Sequence, residues 1–144
     1  MSEVERVLAC GNKLGEGPVW SPEQQALYWV DIQRNNYQRF YPATGKHEVV
    51  EVGVAIGVLA ERASGGLVMA TKKGFALWDE QKHELKYIAQ PFGENPNIRF
   101  NDGAVDVAGR FWAGSMADAG GELPAGVRST ALILTARCTR CCTV

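Results

Sequence analysis

The body of the chain alternates short apolar runs with polar turn residues, and no stretch keeps a 3.6-residue apolar period long enough for a major helix. The run ALYWVDI (26–32) is aromatic and β-branched and follows the polar turn SPEQQ. NNYQRFYP then alternates, ATGK turns the chain, and HEVVEVG returns, which predicts three successive antiparallel strands. Farther on, KKGFALWDEQKHELKYIAQ reads as another hairpin with DEQKH as its turn. The fold class is all-β.

Three stretches line up with one another: GPVWSPEQQALYWVDI, IGVLAERASGGLVMAT and DGAVDVAGRFWAGSM. Each has a short apolar pair, a polar turn and a second apolar strand. Trp20, Leu59 and Asp106 take equivalent places, 39 and 47 residues apart. A period near 40 residues with about four strands per unit is the signature of a β-propeller. A plain β-sandwich is the alternative, but its turns recur at closer intervals. Four to eight blades need roughly 160 to 320 residues, whereas this chain supplies about two and a half to three units in 144. The propeller is therefore expected to be truncated.

Composition narrows the partners. With 46% hydrophobic residues the chain can bury a real core, and a formal net charge of -1 gives no footing for nucleic acid or an anionic membrane. No run approaches the roughly 18 apolar residues of a membrane span, and MSEVERVLACGNK does not read as a secretory leader. A soluble cytoplasmic protein is expected. Cys10 reads as a small core residue. Trp20, Trp29, Trp78 and Trp112 read as packing aromatics, and His47 and His83 as surface residues of turns.

Two places carry candidate chemistry. In KLGEGPVW, Glu16 stands between two glycines at the entry to a strand, where the backbone allows close approach. Facing a propeller channel, such a carboxylate is costly unless paired or bound to a cation; a solvated turn glutamate is the other reading. In NIRFNDGAVD, Arg99 and Asn101 lie two apart on an extended segment and so present a guanidinium and an amide on one face. Those groups suit the hydroxyls and carbonyl of a small polar substrate. An Asn-Asp-Gly turn with a surface arginine is the other reading. No phosphate-binding loop, G-x-S-x-G or H-E-x-x-H motif is present.

LGEGPVWSPEQQALYWVDI, the YPATGK turn and RFNDGAVDVAGRFWAGSM closely resemble the SMP-30/gluconolactonase/luciferin-regenerating-enzyme-like (regucalcin-like) family, over about residues 5 to 120. The resemblance implies a six-bladed propeller that hydrolyses sugar lactones with one divalent cation in its channel, calcium first, with zinc, magnesium or manganese as alternatives. It implies a metal-ligand role for Glu16, substrate binding by Arg99 and Asn101, and a catalytic place near the metal for Asp102. A non-catalytic calcium- or ligand-binding propeller is the alternative. The GSMAD stretch is where some members carry a further acidic substrate contact; here Asp118 precedes Ala119, so that contact reads as altered or absent. The family's remaining metal ligands would come from later blades, which implies that one copy of this chain is inactive alone.

The expected division is residues 1–126 as the N-terminal part of the propeller and 127–144 as an aberrant tail. VRSTALILTARCTRCCTV offers no blade hairpin, and Cys138, Cys141 and Cys142 lack a fourth ligand for zinc. Codons permitted for residues 127–144, read from the third base of the Val127 codon, can spell P-L-Y-R-F-D-P-D-G-S-V-H-T-V-L-H-G. That is an aromatic strand, a turn and a returning strand, where the family resemblance calls for them. The tail is therefore read as a frameshift product.

Overall fold

Strands of four to eight residues make three consecutive antiparallel sheets. The computed structural model of the chain describes residues 3–118 and 131–134. The first sheet runs in the order β1 (Gly15–Ser21), β2 (Ala26–Asp31), β3 (Asn36–Tyr41) and β4 (Lys46–Glu51). The second runs β5 (Ile56–Glu61), β6 (Leu67–Thr71), β7 (Gly74–Asp79) and β8 (Glu84–Ala89). The third comprises β9 (Ile98–Val105), β10 (Phe111–Ala117) and β11 (Ala131–Leu134), with β10 in the middle. β11 lies within the segment expected to form no blade hairpin; an apolar four-residue run suffices to pair with the free side of β10. The cysteine cluster 138–142 and the rest of the tail lie outside the described residues.

The middle sheet is covered on both faces, which is consistent with successive propeller blades. In β2, Tyr28 and Val30 face the second sheet and join Tyr37, Leu59, Met69 and Trp78 in one buried cluster. Val58, Ala60, Val68 and Ala70 point the other way and join Phe75, Phe100, Phe111 and Ala113 in a second. That two-sided burial matches β5 and β6, which are buried almost throughout, whereas burial along most of β2 alternates. Trp20 pairs with Leu27 much as Leu59 pairs with Met69. Leu59 is 1% exposed against the first sheet, whereas Trp20 is 45% exposed because no described sheet precedes its own.

Polar contacts tie the sheets together at their rims. Arg39 on β3 ion-pairs with Glu48 on β4 and, at 2.9 Å, with Glu80 beyond β7; the Tyr37 hydroxyl also donates to Glu80. Ser21 Oγ donates to Glu61 at 2.8 Å. Burial carries more of the stability than these contacts do. A fully buried side chain such as Leu59 or Met69 contributes about 1.5–3 kcal/mol, a partly exposed ion pair up to about 1 kcal/mol.

His47 is not in a turn as the sequence suggests. The turn closes at Gly45, so β4 already includes His47. Its ring stacks on Trp29 at 5.6 Å and its Nε2 lies 2.8 Å from Gln38 Oε1. His83 is in a turn, edge-on to the buried Trp78. Cys10 is half-buried in the segment before β1 rather than in the core.

Candidate functional site

The first strands of the three sheets, β1, β5 and β9, converge, and each convergence point carries a register irregularity. Pairing slips between Glu16 and Val19 in the first sheet, between Ile56 and Val58 in the second, and between Ala113 and Ser115 opposite β9 in the third. A bulge bends a strand and re-aims its side chains. Gly57 is where the strands come closest: a Cβ there would lie 2.6 Å from the carbonyl oxygens of both Phe100 and Asn101. A Cβ on Gly17 would in turn lie 3.9 Å from the Gly57 oxygen. The repeat therefore places glycines where neighbouring first strands touch, and the candidate residues Glu16 and Asn101 flank those contacts.

Entry into β1 is held by a buried carboxylate. Asp31 is fully buried and accepts hydrogen bonds from the Lys13 and Leu14 amides at 2.9 and 3.0 Å. Ile32 N donates to the Leu14 oxygen at 3.0 Å on the same side. Two residues later the chain presents Glu16, exposed, whose carboxylate makes no hydrogen bond or ion pair among the described residues. Asp31 was not among the residues singled out from sequence, although an aspartate closing an apolar strand is the signal that marks it.

Arg99 and Asn101 are brought together. β9 alternates, so Ile98 and Phe100 are buried while Arg99 and Asn101 share the other face. Arg99 Nη1 donates to Asn101 Oδ1 at 2.8 Å and to the Phe100 oxygen at 3.1 Å. Its Nε lies 3.5 Å from Asp118 Oδ1. This use of the groups leaves Arg99 Nη2 and the Asn101 amide nitrogen as donors without a hydrogen bond among the described residues. The pair offers donors to a ligand and asks for acceptors: hydroxyl, carbonyl or carboxylate oxygens.

Asp102 is not joined to that pair. It is exposed, and its Oδ1 accepts from the Gly103 amide at 2.7 Å. Asp118, whose substrate contact read as altered or absent, ion-pairs with Lys72 and faces Arg99. Lys72 was not singled out from sequence.

A groove of about 470 Å³ lies along the uncovered face of the first sheet, between the N-terminal segment and Leu27, Trp29 and Phe40. Glu16 borders it, but Arg99 and Asn101 do not. Its lining is mostly apolar.

Whether these residues fit a cation can be judged from the donors. Hard divalent ions take about six to eight oxygen ligands, calcium especially. Among the described residues no group of three or more His, Cys, Asp or Glu is placed to hold a metal ion. Glu16 is one free carboxylate, which alone does not make a site, and no catalytic step is assigned to a metal in this chain.

Comparison with known proteins agrees with the fold. The model of the SMP-30/Gluconolactonase/LRE-like region matches residues 14–137. Regucalcin of Danio rerio is 39% identical over 114 residues, covering 79% of this chain and 38% of the relative. The 6-deoxy-6-sulfogluconolactonase of Pseudomonas putida is 37% identical over 107 residues, covering 72% of this chain and 35% of the relative. Among solved structures, regucalcin from Agrobacterium tumefaciens, described as a calcium-binding protein, superposes with a TM-score of 0.69 at 26% identity, over 74% of this chain and 36% of its own. The chain thus spans well under half the length of the relatives it matches. With the match covering all three sheets, the chain belongs to the SMP-30/gluconolactonase/LRE-like family.

Proposed function

We propose that this chain carries the substrate-binding part of a sugar-lactone hydrolase built on a six-bladed propeller, with Arg99 and Asn101 holding the lactone by its oxygens. The observation that carries the reading is the Arg99–Asn101 pair: bonded to each other at 2.8 Å, with Arg99 Nη2 and the Asn101 amide nitrogen left as donors without a hydrogen bond among the described residues. A relative named for 6-deoxy-6-sulfogluconolactone hydrolysis supports the substrate class.

Hydrolysis adds water to the lactone carbonyl carbon, breaks the ring C–O bond and yields a hydroxy acid. Negative charge grows on the carbonyl oxygen as water attacks, and fixed donors facing it lower the barrier. Arg99 Nη2 and the Asn101 amide supply such donors, and they also bind ring hydroxyls that orient the carbonyl. Asp102, whose Oδ2 has no hydrogen bond among the described residues, is the candidate to take a proton from the attacking water. A divalent cation belongs to the proposal for the whole protein, supported by the calcium-binding relative, with Glu16 as this chain's contribution. Bound, it would polarise the carbonyl or activate water.

The test is an NMR titration of the chain with D-glucono-1,5-lactone, run beside a pH-stat assay of acid release. Shifts are expected at the Arg99 and Asn101 side chains and are lost in Arg99→Ala. Tight calcium binding without a response to any sugar lactone would favour a non-catalytic binding module and sink the lactonase reading.

A further inference from the structure

We infer that Lys72 and Asp118 are positioning residues for Arg99, joining the second sheet to the third across the substrate face; this rests on the lactone-binding reading of Arg99. The two oxygens of Asp118 are divided: Oδ2 pairs with Lys72 Nζ and Oδ1 faces Arg99 Nε at 3.5 Å. Arg99 is thereby held along two edges, Nε by Asp118 and Nη1 by Asn101 and the Phe100 oxygen. Among the described residues this leaves Nη2 to turn toward a ligand. A guanidinium constrained in this way loses little freedom on binding, whereas an unheld one would have to be ordered by the ligand.

Both ends of the bridge are fixed by backbone. Lys72 follows β6, and its amide donates to the Ala55 oxygen at 2.8 Å. The buried Thr71 shapes the same turn, its hydroxyl donating to the Gly74 oxygen at 2.9 Å and accepting from the Lys73 amide at 3.2 Å. Asp118 follows β10, and its amide donates to the Asn97 oxygen at 2.8 Å, just before β9. The Lys72 side chain is 38% exposed and that of Asp118 25%, against 13% for Arg99. Lys72 also neutralises Asp118, so that the carboxylate orients Arg99 while the cluster of three charges stays net positive. A net positive cluster suits electron-rich lactone oxygens and the carboxylate product.

Two readouts test this. In the unliganded chain, Asp118→Asn is expected to speed exchange of the Arg99 Nε proton about tenfold, and Lys72→Met to speed it less. In the lactone titration, the dissociation constant is expected to rise about tenfold in Asp118→Asn and about threefold in Lys72→Met, with Lys72→Arg within about twofold of the parent chain. Both side chains are partly exposed, so unchanged thermal unfolding serves as the fold control. Nε exchange unaffected by Asp118→Asn overturns the inference, as does lactone binding unaffected by both variants but lost in Arg99→Ala. Nε exchange that responds to Asp118→Asn in a chain where no lactone binds supports the positioning couple and sinks the lactone reading alone.

Discussion

Arg99 and Asn101, two residues apart on β9, share one hydrogen bond of 2.8 Å from guanidinium to amide oxygen, and that bond decides which way the amide faces. With Oδ1 committed to Arg99, the NH₂ group is the part offered outward. Asn101→Asp tests this. The new carboxylate keeps and strengthens the contact with Arg99 but removes both donors and adds a negative charge facing substrate oxygens. Folding stability should be unchanged or slightly higher, while lactone affinity falls about tenfold or more. Calorimetric unfolding beside the lactone titration checks both halves, and undiminished affinity would show that the amide does not face the ligand.

Gly57 should tolerate no side chain. A Cβ would sit 2.6 Å from two carbonyl oxygens of β9, and backbone cannot swing aside as a flexible side chain can. Gly57→Ala is expected to cost about 1–3 kcal/mol in urea unfolding. The strand it displaces carries Asn101, so lactone binding should weaken beyond what lost stability explains. Gly45→Ala makes a useful contrast. No atom lies within 4 Å of a Cβ there, and its cost is confined to the left-handed backbone at φ +70°.

Removing the Asp31 carboxylate should loosen the start of β1. Asp31→Ala leaves the Lys13 and Leu14 amides without their acceptor in a place where the carboxylate was fully buried. Each of the two orphaned donors costs about 1–3 kcal/mol, so a loss of about 2–6 kcal/mol is expected. Amide hydrogen exchange at Lys13 and Leu14 should accelerate by more than the global loss of stability accounts for. Unchanged exchange there would mean that the Ile32–Leu14 backbone bond alone holds the entry to Glu16.

The parts of this fold that could be read from sequence are those set by neighbours along the chain. The aromatic and β-branched strand β2, the turn ending at Gly45 and the hairpin over 79–84 follow from local pattern, and so does the shared face of Arg99 and Asn101. What escaped depends on packing between sheets. Lys72 and Asp118 are 46 residues apart and meet only because the second and third sheets stack. Asp31 matters because the segment before β1 folds back onto it from 17 and 18 residues away. A carboxylate such as Glu16 reads as a ligand only when its partners are present, and local spacing cannot supply them.

The Arg39 cluster predicts an acid-sensitive joint. The Glu48 carboxyl is pulled down to about 2, first by its hydrogen bond to Lys46 and then by Arg39. Its ordinary value is 4.5, so the folded state holds the proton more weakly than the unfolded chain does. A depressed carboxyl contributes stability that is fully present above about pH 4.5 and is lost as pH falls toward about 2. Unfolding midpoints measured across that window should decline in the parent chain and decline less steeply in Glu48→Gln. Above pH 5 the variant should be less stable than the parent by about 1 kcal/mol or less, because the pair is partly exposed and screened. The difference should shrink toward zero near pH 2, and the same contraction is expected in 1 M salt at neutral pH, where screening acts in place of protonation. A constant gap between variant and parent from pH 7 to pH 2 would show that Glu48 acts through packing rather than charge.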